Sequence, residues 1–171
     1  RMVPRVVLLF LLIPLTQGKI SVEKFEVKSE NEALVEIGKE FIIYFDFNRT
    51  ETVNIIWATS TKQSKMLTKD LLRRTIEYDF DGMTFILEDS YGMRKTKRTK
   101  AYNIFYVDSY KSFRKIIHKM KPDVFNYQGW FVIIVTKYSD AQYLEMTKMF
   151  EDLWSNYIIN VNIVLPQSEN P

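Results

Sequence analysis

The sequence predicts an α/β domain of three layers, in which a largely parallel sheet is covered by helices on both faces. Short apolar, strand-like runs alternate with amphipathic helical patterns along the chain, as they do in βαβ units. The run Phe131-Val-Ile-Ile-Val135 is apolar without interruption, which suits a strand covered on both sides rather than one facing water. Between Tyr127 and Leu165, a strand, an aromatic-striped helix and a second apolar strand follow in close succession and read as one βαβ unit.

The elements can be justified in order. After a mixed segment from Lys19 to Lys28, Ser29-Glu-Asn-Glu32 has the pattern of a capping box. It opens a helix with Leu34, Ile37, Phe41, Tyr44 and Phe45 on one side. A turn is expected at Asn48 to Thr50, and the β-branched and aromatic run Val53-Asn-Ile-Ile-Trp-Ala58 predicts a buried strand. Ser60-x-x-Gln63 suggests a second capping box, introducing a helix whose apolar side is Met66, Leu67, Leu71, Leu72 and Ile76. Asp81-Gly82 closes that unit, and Met83 to Leu87 and Ala101 to Val107 are the next strands. A hairpin or a short crossover would join these two, and both readings stand.

From Ser109 a helix carries Tyr110, Phe113, Ile116, Ile117 and Met120 on its apolar side and stops before Pro122. Trp130 to Val135 is the following strand. The last helix opens at Ser139-Asp140, with Gln142 as capping-box partner and Met146, Met149, Phe150, Leu153, Trp154 and Tyr157 at helical spacing. A strand from Ile158 to Leu165 ends the pattern.

The first 18 residues stand apart from that fold. Arg1 and Arg5 flank a 10-residue apolar run, Val6 to Leu15, followed by Thr16-Gln17-Gly18, and the segment is expected to be a signal peptide cut between Gly18 and Lys19. A membrane span needs about 20 apolar residues. Residues 19–171 then form one α/β module or lobe, with no internal repeat and no dividing linker. Loss of residues 1–18 removes two arginines and no acid, lowering the formal charge from +3 to +1, which argues against a nucleic-acid partner. Hydrophobic content of 46% supports a packed core, which must suffice alone because the chain has no cysteine. Export would make Asn48-Arg49-Thr50 a usable glycosylation sequon.

Chemistry-bearing motifs are scarce. Thiol catalysis and thiolate zinc sites are excluded by the cysteine count. His118 is the one histidine and reads as a partly exposed helix residue close to a helix C-terminus. Glycine-rich phosphate loops and nucleophile elbows do not occur, and the carboxylate pairs Asp79/Asp81, Glu88/Asp89 and Glu151/Asp152 fall at element edges or on polar faces. No cofactor is implied and no enzyme is expected. The stretch Arg94-Lys95-Thr-Lys97-Arg98-Thr-Lys100 holds five basic residues in seven: a solvated loop, or a loop for an anionic partner. Aromatics at core-facing spacing are better explained by packing than by a ligand box.

Tyr127-x-Gly129-Trp-Phe-Val-Ile, Phe150-x-x-Leu153-Trp154, Asn160-Val-Asn-Ile-Val164 and Tyr106-Val-Asp-Ser-Tyr-Lys-Ser-Phe113 together resemble the amino-terminal extracellular region of the insect chemosensory ionotropic receptors, a divergent branch of the ionotropic glutamate receptors. The likeness covers about Phe41 to Leu165 and rests on packing positions. It implies a fold like one lobe of a periplasmic-binding-protein-like domain and a non-catalytic ectodomain module. Its partners would be the remaining receptor domains or subunits. The full family pattern has pore helices and a ligand-binding domain with glutamate-type contacts, which this chain lacks, so the resemblance implies a fragment or truncated form. Its place would be extracellular or at the cell surface, with membrane association only through sequence outside the chain. The alternative is a secreted small-molecule binding protein using the carboxyl ends of parallel strands.

Overall fold

The computed structural model describes residues 30–47, 52–77, 80, 83–93 and 99–166. The elements are α1 (Glu30–Phe47), β1 (Thr52–Ala58), α2 (Lys62–Ile76), β2 (Thr84–Asp89), β3 (Lys100–Val107), α3 (Tyr110–Ile117), β4 (Phe125–Val135), α4 (Gln142–Ser155) and β5 (Val161–Val164). The five strands form one sheet in the order β2-β1-β3-β4-β5, and every neighbouring pair is parallel. Because β2 and β3 lie on opposite sides of β1, their connection is a crossover and not a hairpin. Met93, just after β2, packs with the core under α3 and α4, so the crossover leaves β2 on that face.

Strand alternation sorts the core into two halves. Val53, Ile55, Ile104, Tyr106, Val132 and Ile134 point to one face and pack with Leu34, Ile42 and Phe45 of α1 and Leu71 and Leu72 of α2. Ile56, Ala58, Phe105, Val107, Phe131, Ile133 and Val135 point to the other, under Phe113, Ile116 and Ile117 of α3 and Met149 and Leu153 of α4. Both faces of the central strands are covered, which is why their sequences are mostly apolar, with Asn54 of β1 and Asn103 of β3 the buried polar positions at their centre. Each fully buried Ile or Phe contributes roughly 1.5–3 kcal/mol, so the sheet holds the fold without disulfides.

The element boundaries depart from expectation in instructive places. Helix α2 is capped by Thr61, whose hydroxyl accepts from Ser64 N at 3.1 Å, so the Ser60–Gln63 box does not form. Met66 is 68% exposed and lies off the buried stripe of Leu71, Leu72 and Thr75. Ser139 and Gln142 likewise do not make a capping box: Ser139 Oγ accepts from Ala141 N in a local turn, and α4 has no side-chain cap. Trp154 and Tyr157 are 73% and 78% exposed, because Met149 and Leu153 already occupy the strip of α4 that faces the sheet. Tyr157 also carries φ 61°, the left-handed position that ends α4, with Ile158 N donating to Leu153 O. The capping box at Ser29 lies outside the described residues.

Strand β4 starts five residues earlier than Trp130, because Phe125 pairs with Lys100 before the register shifts and Trp130 comes to face Tyr102. Gly129 is required there, since a Cβ on it would collide with the backbone carbonyl of Ala101. Lys100 opens β3 and is buried, ion-paired to Glu88 with its ammonium 5.2 Å from the centre of the Phe125 ring.

Tyr106 joins three elements, β3, α1 and α2. Its hydroxyl hydrogen-bonds with Thr75 Oγ1 of α2 at 3.3 Å, and a Cβ at position 38 of α1 would strike it, so only glycine fits there. Burial pushes its phenol from 10.0 up to about 12, against a smaller lowering from the Thr75 hydrogen bond. A raised folded pKa contributes stability that is complete below pH 10.0 and lost as pH rises toward about 12. Urea unfolding across that range should show a decline of about 2–3 kcal/mol that is absent from Tyr106→Phe; parallel curves for the two proteins would contradict this placement of the hydroxyl.

Candidate functional site

The sheet changes winding direction between β1 and β3. Ala58 and Val107 end these neighbouring strands in register. The chain then leaves β1 for α2 on one face and β3 for α3 on the other, which opens a crevice between the two turns at the carboxyl edge. Asp108 lies between these two turns. It directly follows β3, is 4% exposed and has no cation beside it among the described residues.

Its carboxylate is held by hydroxyls and a backbone amide drawn from both turns. Oδ2 accepts from Ser60 N and from Ser60 Oγ, each at 2.7 Å. Oδ1 accepts from Ser112 Oγ at 2.5 Å and from Ser109 Oγ at 3.1 Å. The two helices that start here are capped in the same turns, Thr61 Oγ1 accepting from Ser64 N and Ser109 Oγ itself from Ser112 N. The positive ends of two helix dipoles therefore converge on one buried anion. Burial alone would raise the Asp108 pKa, but the hydrogen bonds from Ser112, Ser60 and Ser64 outweigh it, and the group is held below 3.8.

An ionised carboxylate with four donors already in place suits positioning rather than proton transfer. Ser60 Oγ has no histidine to activate it, because His118 lies at the far end of α3, exposed on its outer side. Among the described residues no group of three or more His, Cys, Asp or Glu side chains is placed to hold a metal ion. The crevice has instead a rim of exposed Ser60, Thr61 and Lys62 facing half-buried Ser109 and Tyr110, a set of polar groups on rigid helix starts.

Beside the crevice, the outer side of α3 lines an open groove of about 480 Å³ together with Tyr91. Lys115 Nζ donates to Thr59 O and Lys119 Nζ to Ser90 O, both at 2.7 Å, which fastens the groove over the carboxyl ends of β1 and β2. Tyr110 ties α3 to α4, its N–H donating to Glu145 and its hydroxyl to Asp152.

The residues singled out in the sequence are dispersed relative to this edge. Gly18, Lys19, Asn48, Arg94, Lys95, Lys97 and Arg98 lie outside the described residues. Lys100, the last basic residue of the 94–100 run, is withdrawn from any exposed loop by its burial and its ion pair with Glu88. Sequence reasoning missed Asp108, Ser60 and Ser112. The available signal was an acid at a strand end followed by a helix-capping serine, but its partner Ser60 is 48 residues away. The basic face of α3 was missed because the helix was read only by its apolar side.

Asp108→Asn should lower stability by about 2–4 kcal/mol at neutral pH, since it puts an amide donor against donors that had a charged acceptor. For the native chain, a depressed folded pKa means that this stability is present above pH 3.8 and lost as pH falls through the folded value. The difference between native and variant chains in urea unfolding should therefore shrink in strong acid; a constant difference would contradict the ionised hub.

A family model described as "Putative ionotropic receptor, ligand binding domain" matches residues 24–171. No curated protein matches the chain, and no solved structure does. The match revises one expectation, that the ligand-binding domain lies elsewhere: the family spans nearly all of this chain and is itself a ligand-binding domain. Packing positions carried the resemblance, and they are silent about ligand contacts. With its parallel sheet, its two covered faces and a preorganised crevice at the carboxyl edge, the chain belongs to the ionotropic receptor ligand-binding domain family.

Proposed function

We propose that this chain is the extracellular ligand-recognition module of a chemosensory ionotropic receptor, and that small ligands meet it at the carboxyl edge between β1 and β3. The observation that carries this reading is the Asp108 network at that crevice, in a chain whose family is a receptor ligand-binding domain. Open parallel sheets take ligands outside the carboxyl ends of their strands where the winding reverses. There the helix starts of α2 and α3 are fixed before any ligand arrives, which lowers the ordering cost of binding.

A recognition module acts on a channel only by binding one of its states better than another. The Ser60–Thr61 and Ser109–Tyr110 turns belong to different helices, so a ligand touching both would bias their relative position and pass that bias to the rest of the receptor. Among the described residues no helix is long and apolar enough to cross a membrane, and conduction falls outside them. The same reading takes residues 1–18 as a leader cut between Gly18 and Lys19 and Asn48 as a glycan acceptor. Other receptor domains or subunits are its partners.

Titration of the isotopically labelled chain with small carboxylic acids, amines and amino acids, followed by amide NMR, tests the placement. At least one class should shift the Ser60, Thr61, Ser64, Ser109 and Ser112 amides. Shifts confined to the amino ends of the strands, near Thr52 and Thr84, or no shifts with any class, would count against the reading.

A further inference from the structure

From the charge and shape of α3, we infer a second recognition site that takes a sulfated saccharide: the groove lined by Tyr91, Tyr110, Lys111, Arg114, Lys115 and Lys119. Residues 110–119 hold four Lys or Arg and no Asp or Glu. Positions 111, 114 and 115 fall at helical spacings of three and four, which puts three cations along one side of α3, and Lys119 in the turn that follows joins them at the same groove. None of the four forms an ion pair with a carboxylate among the described residues, although Lys39 and Arg73 elsewhere on the surface do. Carboxylates lie at both ends of the row: Glu145 and Asp152 accept from Tyr110, with Glu151 also acting on that group, and Asp89 accepts from the N–H groups of Tyr91 and Gly92. The four cations between them are in no direct ion pair among the described residues, and Lys115 and Lys119 are held on a fixed frame.

Two further features define the occupant. Lys115 and Lys119 each use one ammonium hydrogen on a backbone carbonyl, which holds the side chains in place and leaves two donors each for an anion. Tyr91, 79% exposed, is pinned by Asp89 through its backbone N–H, with the Lys119 ammonium 4.7 Å from its ring centre. Tyr110 lies at the opposite end of the row with Arg114 at 6.0 Å from its ring. Tyr91 offers an exposed ring to sugar C–H groups, the Tyr110 ring at the other end is stacked with Phe113 and flanked by Arg114 and Lys148, and the cations between offer charge to sulfates, a combination that an acidic peptide would not need. A volume of about 480 Å³ accommodates a unit of one or two sugars from a longer chain. The choice of a sulfated glycan rests on the extracellular placement proposed above, whereas the anion-binding groove does not depend on the ligand site at the Asp108 crevice.

The test is calorimetric titration of the full chain with a heparin-derived hexasaccharide, with its desulfated counterpart and an oligoglutamate of equal charge as comparison probes. The sulfated probe should bind at 0.15 M salt, and Lys111→Gln/Arg114→Gln should weaken it at least tenfold and lower the log–log salt slope by about two. The control Lys69→Gln/Arg74→Gln, which removes equal charge on α2, should leave affinity within twofold, and far-UV circular dichroism shows whether each variant is folded. Equal affinity of native chain and α3 variant, equal binding of oligoglutamate, or undiminished binding of the desulfated sugar would overturn the inference. Saccharide binding without any small-molecule shift at Ser60 and Ser109 would sink the ligand-edge reading and leave this one standing, and the reverse result would do the opposite.

Discussion

One buried carboxylate organises the carboxyl edge of the sheet between β1 and β3. Asp108 stands where two parallel strands send their chains to opposite faces of the sheet, and it receives hydrogen bonds from both departing turns. A charge removed from water costs several kcal/mol unless donors replace the solvent. Here Ser60, Ser109 and Ser112 do so, helped by the positive ends of α2 and α3. The consequence is geometric, because neither helix start can shift without breaking bonds to the same anion.

The remainder of the fold supplies the platform. Two separate cores press α1 and α2 on one face and α3 and α4 on the other, and the sheet between them is apolar on both sides. Among the polar groups buried within this frame, two lie at a distance from the crevice and tie elements together. Lys100 is paired to Glu88 where the crossover returns to the sheet, and Tyr106 reaches Thr75 beneath α1. Each links elements distant in sequence, and removing one partner of a buried ion pair would leave a bare charge in the core. Polar contacts therefore specify where layers meet, while apolar burial provides most of the stabilisation.

Much of this architecture was legible in the sequence, for physical reasons that also explain what was not. Strands such as Phe131 to Val135 announced two-sided coverage by lacking polar residues, and helix α3 announced itself by Ser109 before an apolar stripe that ends at Pro122. Capping boxes at Ser60 and Ser139 were misread because the same hydroxyls satisfy other groups, the Asp108 carboxylate in one case and a tight turn in the other. The β2 to β3 connection was undecidable, since no helical pattern marks it as a crossover. Trp154 and Tyr157 looked like core because a helix wheel shows an apolar stripe wider than the strip that touches the sheet. The Asp108 network itself was invisible: its donors are ordinary serines, and only the topology brings Ser60 to a carboxylate 48 residues away.

Membership of the ionotropic receptor ligand-binding domain family and a preorganised crevice at the carboxyl edge point in one direction, toward a module that senses by contact. The account depends on Asp108 locking both turns at once. Amide hydrogen exchange on the native chain and on Asp108→Asn measures this directly. Protection should fall together at Ser60 and Ser64 of the first turn and at Ser112 and Phe113 of the second, while Ile104 and Ile133 in the sheet keep theirs. Loss at one turn alone, or no loss at either, would contradict the shared anchor.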